Sequence, residues 1–256
     1  MEVVILNDAV EVGEAAAALI VQEVRRNPRA VLGLATGSSP AETYRALSRM
    51  IDAGTLDLAE ASGFALDEYI RIPADHPASY ATVIQQEVVI PLHMDASRVH
   101  VPDGRRRDLE DAAASYDQQI FNAGGVDIQI LGIGRNGHIG FNEPTSSFAS
   151  RTRVKTLSEE TRRDNARFFD RPEDVPMHCL TQGLGTILDA RRLVLVATGH
   201  AKSSAVAAAV EGPLSSFVPA SALQLHEYAT VILDEAAASA LTLTKYYRYT
   251  YANKPH

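Results

Sequence analysis

Disulfides are the first thing this chain cannot build, because Cys179 is its single cysteine. The absence of an internal bridge fits a reducing cytoplasm, and the expected role of Cys179 is a packed thiol beside Leu180. Long apolar runs are missing too. No stretch approaches the roughly 20 apolar residues that a membrane span requires. The start, Met-Glu-Val-Val-Ile-Leu-Asn-Asp, lacks the basic opening and apolar core of a secretion signal and is expected to form an edge strand of the mature sheet. Positive charge is in deficit: Lys and Arg number 24 against 32 Asp and Glu, for a formal net charge of −8. Such a surface repels a phosphate backbone, which argues against a nucleic-acid partner. A small anion can be held only where local cations overcome the mean field. Internal repeats, low-complexity segments and long linkers are also absent.

What is present is ordinary globular material. Its 256 residues suit one α/β domain over 1–256, large enough to bury about three quarters of its unfolded surface. Short apolar, β-branched runs alternate with longer helical patterns. Strands are expected over Val3–Leu6, Ala30–Ala35, Ser62–Leu66, Arg98–Val101, Val126–Ile133, Arg191–Ala197 and Ala229–Leu233. Helices are expected over Ala9–Arg26, Ala41–Ile51, Tyr80–Ile90, Leu109–Asn122, Ala201–Val210 and Glu235 to about Tyr247. Thr156-Leu157-Ser158-Glu159 has a capping-box pattern and is expected to open a helix through Phe169. This alternation predicts an α/β fold with a mostly parallel central sheet and helices on both faces, a Rossmann-like open sandwich. Ligands of such sheets bind beyond the carboxyl ends of the strands, so polar clusters that directly follow strands are the candidate site.

Four clusters meet that condition. In Thr36-Gly37-Ser38-Ser39-Pro40, small residues can turn backbone N–H groups toward an anion at a helix start, with Pro40 expected at the first helical position. Asp67-Glu68 places two carboxylates at a strand end, where burial and like charge both raise a pKa and improve a base. Leu131 to Pro144 carries Gly132, Gly134 and Gly137 in G-x-G-x-x-G spacing. A dinucleotide site would require those glycines to open a helix, yet Gly140 and Pro144 follow. The run is better read as an extended loop lying over a ligand, with His138 as a proton shuttle whose tautomer Asn136 and Glu143 set. The fourth group is cationic: Arg163 and Arg167 on one helix face, and Lys202 after Gly199-His200-Ala201.

Taken in order, these stretches resemble the glucosamine-6-phosphate deaminase family (the glucosamine/galactosamine-6-phosphate isomerases). The resemblance covers nearly the whole chain. Leu32–Pro40, Phe64–Tyr69, Leu131–Pro144, Ser147–Leu157 and Gly199–Lys202 carry it. It implies a hydrolase that converts glucosamine 6-phosphate to fructose 6-phosphate and ammonia in amino-sugar catabolism, with no metal or other cofactor. It further implies that His138 opens the pyranose ring, that Glu143 and position 136 tune it, and that Asp67 moves the proton from C2 to C1. Thr36, Gly37, Ser38, Ser39, Arg167 and Lys202 match the family's phosphate-holding groups. Many members have Asp where this chain has Asn136, and a neutral amide can orient an imidazole without raising its basicity as a carboxylate would. Ser146, Arg153 and Lys155 match an allosteric site found in the family's hexamers. Other members are monomers, so the resemblance admits a homo-oligomer without requiring one.

Two rivals fit parts of the pattern. A related lactonase shares a Gly-x-Gly-x-x-Gly-His stretch, but Phe141-Asn142-Glu143-Pro144 and Asp67-Glu68 favour the deaminase. A sugar-phosphate sensor would bind without turnover. The acidic charge, the lack of room for a DNA-binding segment ahead of Val3, and the presence of both Asp67 and His138 argue against it.

Overall fold

The computed structural model describes residues 1–254. Its main sheet has seven strands in the order β1-β10-β9-β6-β2-β3-β5, and every pairing is parallel. The strands are β1 (Glu2–Leu6), β2 (Val31–Leu34), β3 (Ser62–Ala65), β5 (Val99–His100), β6 (Ile128–Leu131), β9 (Leu193–Ala197) and β10 (Ala229–Asp234). The inner strands β2, β6 and β9 are buried along their whole length. That is why they read as continuous apolar runs rather than alternating ones. The first strand lies at an edge, as expected.

Helices α1 (Ala9–Arg26), α2 (Ser38–Asp52), α4 (Leu109–Asn122), α6 (Leu184–Leu188) and α7 (Ser203–Val210) are among those that surround the sheet. The first is closed at its start by Asp8, whose carboxylate accepts from Val10 N and Glu11 N, and its last turn carries Arg25 and Arg26. Both features complement the helix dipole. The buried face Val12, Ala16, Ala17, Ile20 and Val24 of α1 packs against α2 and the β9–β10 side of the sheet. From β2 the chain proceeds outward through β3 to β5. From β6 it proceeds the other way, through β9 to β10. The β2/β6 boundary is therefore the switch point at which crevices form in such sheets.

A second sheet extends the first. Strands β4 (Asp67–Tyr69), β8 (His178–Thr181) and β7 (Arg153–Thr156) pair antiparallel in the order β4-β8-β7. Only Leu66 separates β3 from β4. Its N–H donates to Leu34 O, and its carbonyl accepts from Gln182 N.

Several boundaries differ from the sequence expectation. Helix α2 starts at Ser38, so Pro40 occupies the third position rather than the first. The helix α5 (Glu159–Asn165) is capped by Ser158, which accepts from Thr161 N, while Thr156 belongs to β7. It passes into a 3₁₀ turn over Ala166–Phe168. The expected helix over 235–247 does not form. Asp234 turns back to accept from Ala237 N, Glu211 accepts from Thr242 N and Leu243 N, and α8 runs over Thr244–Ala252 instead. Helix α3 (Tyr80–Ile84) continues into a π-helical turn through Val89.

Candidate active site

Lys202, the His138 loop, Thr36–Ser39 and Asp67 follow β9, β6, β2 and β3, which are consecutive neighbours in the sheet, whereas Arg163 and Arg167 follow β7 of the second sheet. Parallel strands place all four loops at one edge, the carboxyl edge.

Asp67 stands where β3 gives way to β4 and is buried. Burial, and then the negative charge of Glu68, push its carboxyl up to about 8, against the opposing effect of the Phe141 N–H and the Thr181 hydroxyl. Glu68 is buried as well but does different work. Its two oxygens accept from Tyr69 N, Ser79 Oγ, Tyr80 N and Ala81 N at 2.7–3.0 Å, which fastens the start of α3. The expected pair of adjacent carboxylates thus divides into one satisfied structural anion and one neighbour left in an apolar setting.

The segment after β6 is a loop, as the sequence indicated. Gly134 N donates to His138 O and Gly137 N donates to Gly134 O, so the chain coils back on itself instead of starting a helix. Two glycines are needed for distinct reasons. A Cβ on Gly134 would overlap the imidazole of His138. Gly140 has φ +53, and a Cβ there would lie 3.5 Å from Asp67 Oδ2 and 3.1 Å from Thr181 Oγ1. The loop that bears His138 therefore rests directly against Asp67.

His138, Asn136 and Glu143 form a chain of hydrogen bonds. Asn136 Oδ1 is 2.7 Å from His138 Nδ1, and Asn136 Nδ2 donates to Glu143 Oε2 at 2.8 Å. The amide's orientation is fixed chemically. One end faces a carboxylate, which only accepts; the other also receives the His138 backbone N–H. Oδ1 is then the acceptor, the imidazole proton sits on Nδ1, and Nε2 carries the free lone pair. Burial lowers the pKa of His138. Glu143 opposes that shift and Lys202 adds to it, so the ring is neutral near pH 7. Burial also pushes Glu143 up, but hydrogen bonds from the Thr161 hydroxyl and Ser158 N–H, with His138 and Asn136 nearby, hold it below the usual carboxylate range. Glu143 is thus the negative end of the chain, 4.0 Å from His138 Nδ1, with Asn136 relaying its influence.

The loop after β2 has Gly37 at the start of α2 with φ +107 and no side chain capping the helix. Thr36 is half-buried, Gly37 and Ser38 are exposed, and Ser39 is buried. Ser39 Oγ lies 3.3 Å from Thr198 Oγ1, which joins this loop to the one after β9. In that second loop the Gly199 N–H is taken by Asp234, so its positive contribution is the half-buried Lys202 side chain. Burial lowers the Lys202 pKa most; Asp164 opposes this, and Arg135 and Arg167 reinforce it. Arg167 is exposed, with its guanidinium 4.7 Å above the Phe168 ring.

Ser146, Arg153 and Lys155 are not gathered as tightly. The Ser146 hydroxyl donates to Glu143 O inside a turn. Arg153 and Lys155 alternate along β7, on the face opposite exposed Val154. Sequence reading overlooked Thr181, Thr161 and Ser158. A Ser with a Thr three residues on is a local cap signal that could have found the last two; Thr181 has no local signal, since it meets Asp67 only through the pairing of β4 with β8. Among the described residues, no group of three or more His, Cys, Asp or Glu side chains is placed to hold a metal ion. Among the same residues, no helix is long and apolar enough to cross a membrane.

Comparisons with known proteins bear on this geometry. Residues 7–232 match the family described as glucosamine-6-phosphate isomerases/6-phosphogluconolactonase. The chain is 56% identical to a glucosamine-6-phosphate deaminase of Streptomyces coelicolor, covering 100% of this chain and 98% of the relative. It is 52% identical to one from Bifidobacterium longum subsp. infantis, covering 99% and 97%. Among solved structures, a monomeric glucosamine-6-phosphate deaminase matches with TM-score 0.91 at 42% identity, over 94% of this chain and 100% of that one. A 6-phosphogluconolactonase from Trypanosoma cruzi matches with TM-score 0.73 at 21% identity, over 94% and 97%, which is a likeness of fold alone. These matches correct the expected enzyme class. The family is described as isomerases/6-phosphogluconolactonase and the relatives are named deaminases, so hydrolase alone becomes isomerase/deaminase, in which only the loss of the amino group is a hydrolysis.

Proposed function

Because the chain belongs to the glucosamine-6-phosphate isomerase/6-phosphogluconolactonase family, we propose that it isomerises and deaminates glucosamine 6-phosphate to fructose 6-phosphate and ammonia. The observation that carries the assignment within the family is the pairing of a carboxylate raised to about 8 with a neutral imidazole, on loops that touch. Lactone hydrolysis has no carbon-bound proton to move and no use for the first of these groups. A sensor has no use for either.

Chemistry follows from the groups. Neutral His138 takes the proton of the anomeric hydroxyl at Nε2 and returns it to the ring oxygen, which opens the pyranose. The aldehyde acidifies the C2–H bond. Asp67, in its ionised form, removes that proton and delivers one to C1. The resulting C2 imine adds water and expels ammonia, leaving the ketose. Water enters and ammonia leaves, so the atoms balance. The substrate's amino group, when protonated, favours the ionised form of the carboxylate that must act as base. A positioned base contributes about 10²–10⁴-fold in rate. The phosphoryl group serves as a remote handle for orientation, held by Lys202, Arg167 and the Thr36–Ser39 loop at the start of α2.

A coupled assay for ammonia and fructose 6-phosphate on the purified protein tests the assignment. The expected result is equimolar formation of both from glucosamine 6-phosphate. Hydrolysis of 6-phosphogluconolactone without ammonia release would move the chain to the other branch of its family.

A further inference from the structure

The reaction above leaves one charge near the phosphoryl site unused. Arg135 Nε lies 3.4 Å from Asp164 Oδ2. Arg135 belongs to the His138 loop, between Gly134 and Asn136. Asp164 sits near the end of α5, and Arg167 lies in the 3₁₀ turn that follows it, so the two are neighbours in the chain but not on one α-helical face. Lys202 arrives from the loop after β9. The Asp164 carboxylate acts on both Lys202 and His138, while Arg135 and Arg167 act on Lys202. One carboxylate thus lies among three cations at the place assigned to a dianion. Nothing in the packing demands it, since its side chain is 34% exposed and that of Arg135 is 55% exposed.

We propose that Asp164 is a built-in counter-anion that holds Arg135 until a phosphoryl group replaces it, and so sets the affinity of the site for phosphoryl dianions. The inference rests on the phosphate-handle reading of Lys202 and Arg167. With Asp164 present, an incoming dianion meets two net positive charges rather than three. Bare phosphate, which brings no sugar contacts, is then held weakly. A sugar phosphate recovers the difference through its hydroxyl and amino groups. Inhibition of the enzyme by cellular phosphate is thereby limited, at some loss of substrate affinity.

Titration calorimetry with inorganic phosphate at low ionic strength tests this on the wild type and on Asp164→Asn, Lys202→Ala and the double variant Asp164→Asn/Arg135→Gln. Steady-state kinetics accompany it. Removing one negative charge near a dianion should tighten phosphate about 3- to 10-fold. The effect should fall on KM rather than kcat, vanish in the double variant, and shrink at about 0.5 M salt. If Lys202→Ala weakens phosphate while Asp164→Asn leaves it unchanged or weaker, the counter-anion role is overturned and the pocket stands. Phosphate affinity insensitive to Lys202→Ala removes the pocket, and this inference with it.

Discussion

Replacing Asp67 by Asn keeps the side chain's shape and removes its charge, so it isolates what a buried base does to this fold. The carboxyl has an ordinary pKa of 3.8 and a folded value of about 8. Because the folded value is raised, the native chain binds the proton more tightly than the unfolded chain between those limits. Stability therefore falls as pH climbs from 3.8 toward 8, and levels off above. Linkage puts the penalty at about 2 kcal/mol at pH 5 and about 5 kcal/mol at pH 8, both upper figures. The unfolding free energy of Asp67→Asn should accordingly gain on that of the wild type by about 3–4 kcal/mol between pH 5 and pH 8. Any fixed loss from the new amide does not depend on pH and cancels in that difference. Urea denaturation at several pH values reads it directly. The same variant should lose about 10²–10⁴-fold in turnover, and the wild-type kcat/KM should rise through a pKa near 8. Stability curves that run parallel from pH 5 to 8, or near-normal turnover in the variant, would refute the argument that apolar burial primes this carboxylate.

Other perturbations follow from the same geometry. Glu143→Gln offers one acceptor to two donors, Asn136 Nδ2 and Ser158 N; the His138 pKa should fall further and turnover should drop about 10-fold or more, and an unchanged pH–rate profile and turnover would exclude Glu143 as the charged partner. In Gly134→Ala the new methyl overlaps the His138 ring; kcat should fall about 10²-fold while circular dichroism stays native, and retained activity would mean that the ring can sit elsewhere. Glu68→Gln removes a charge that helps hold the Asp67 pKa up and leaves one oxygen for four donors. The rising limb of the rate profile should move to lower pH, with about 1–3 kcal/mol lost in stability.

Much of this site was legible before any coordinates. Strands buried on both faces announce themselves as unbroken apolar runs, and β2, β6 and β9 are of that kind. The polar residues just beyond them had to lie at one sheet edge, so Asp67, His138 and Lys202 could be grouped from order alone. What could not be read depends on contacts distant in sequence. The four-residue strand β8 exists because β4 and β7 flank it in the sheet, although both come well before it in the chain. The segment after Asp234 has the alanine content of a helix, but Asp234 and Glu211 take its N–H groups first. Likewise, nothing local in the sequence gives Asp67 and Glu68 different environments. Only the start of α3, placed against Glu68, separates them.

The base and the imidazole are mounted differently. Asp67 sits at the one-residue junction of two sheets, anchored through Leu66 to β2 and through β8 to the smaller sheet. His138 rides a glycine-rich loop braced by its own turns, by Ala220 N on Gly137 O, and by side-chain hydrogen bonds from Asn136 through Glu143 to Ser158 N rather than by strand pairing. Gentle heating or dilute denaturant should therefore disable the two half-reactions in sequence. Unmasking of the aldehyde would fail first, while exchange of the C2 hydrogen with solvent would persist on any sugar phosphate supplied already in linear form.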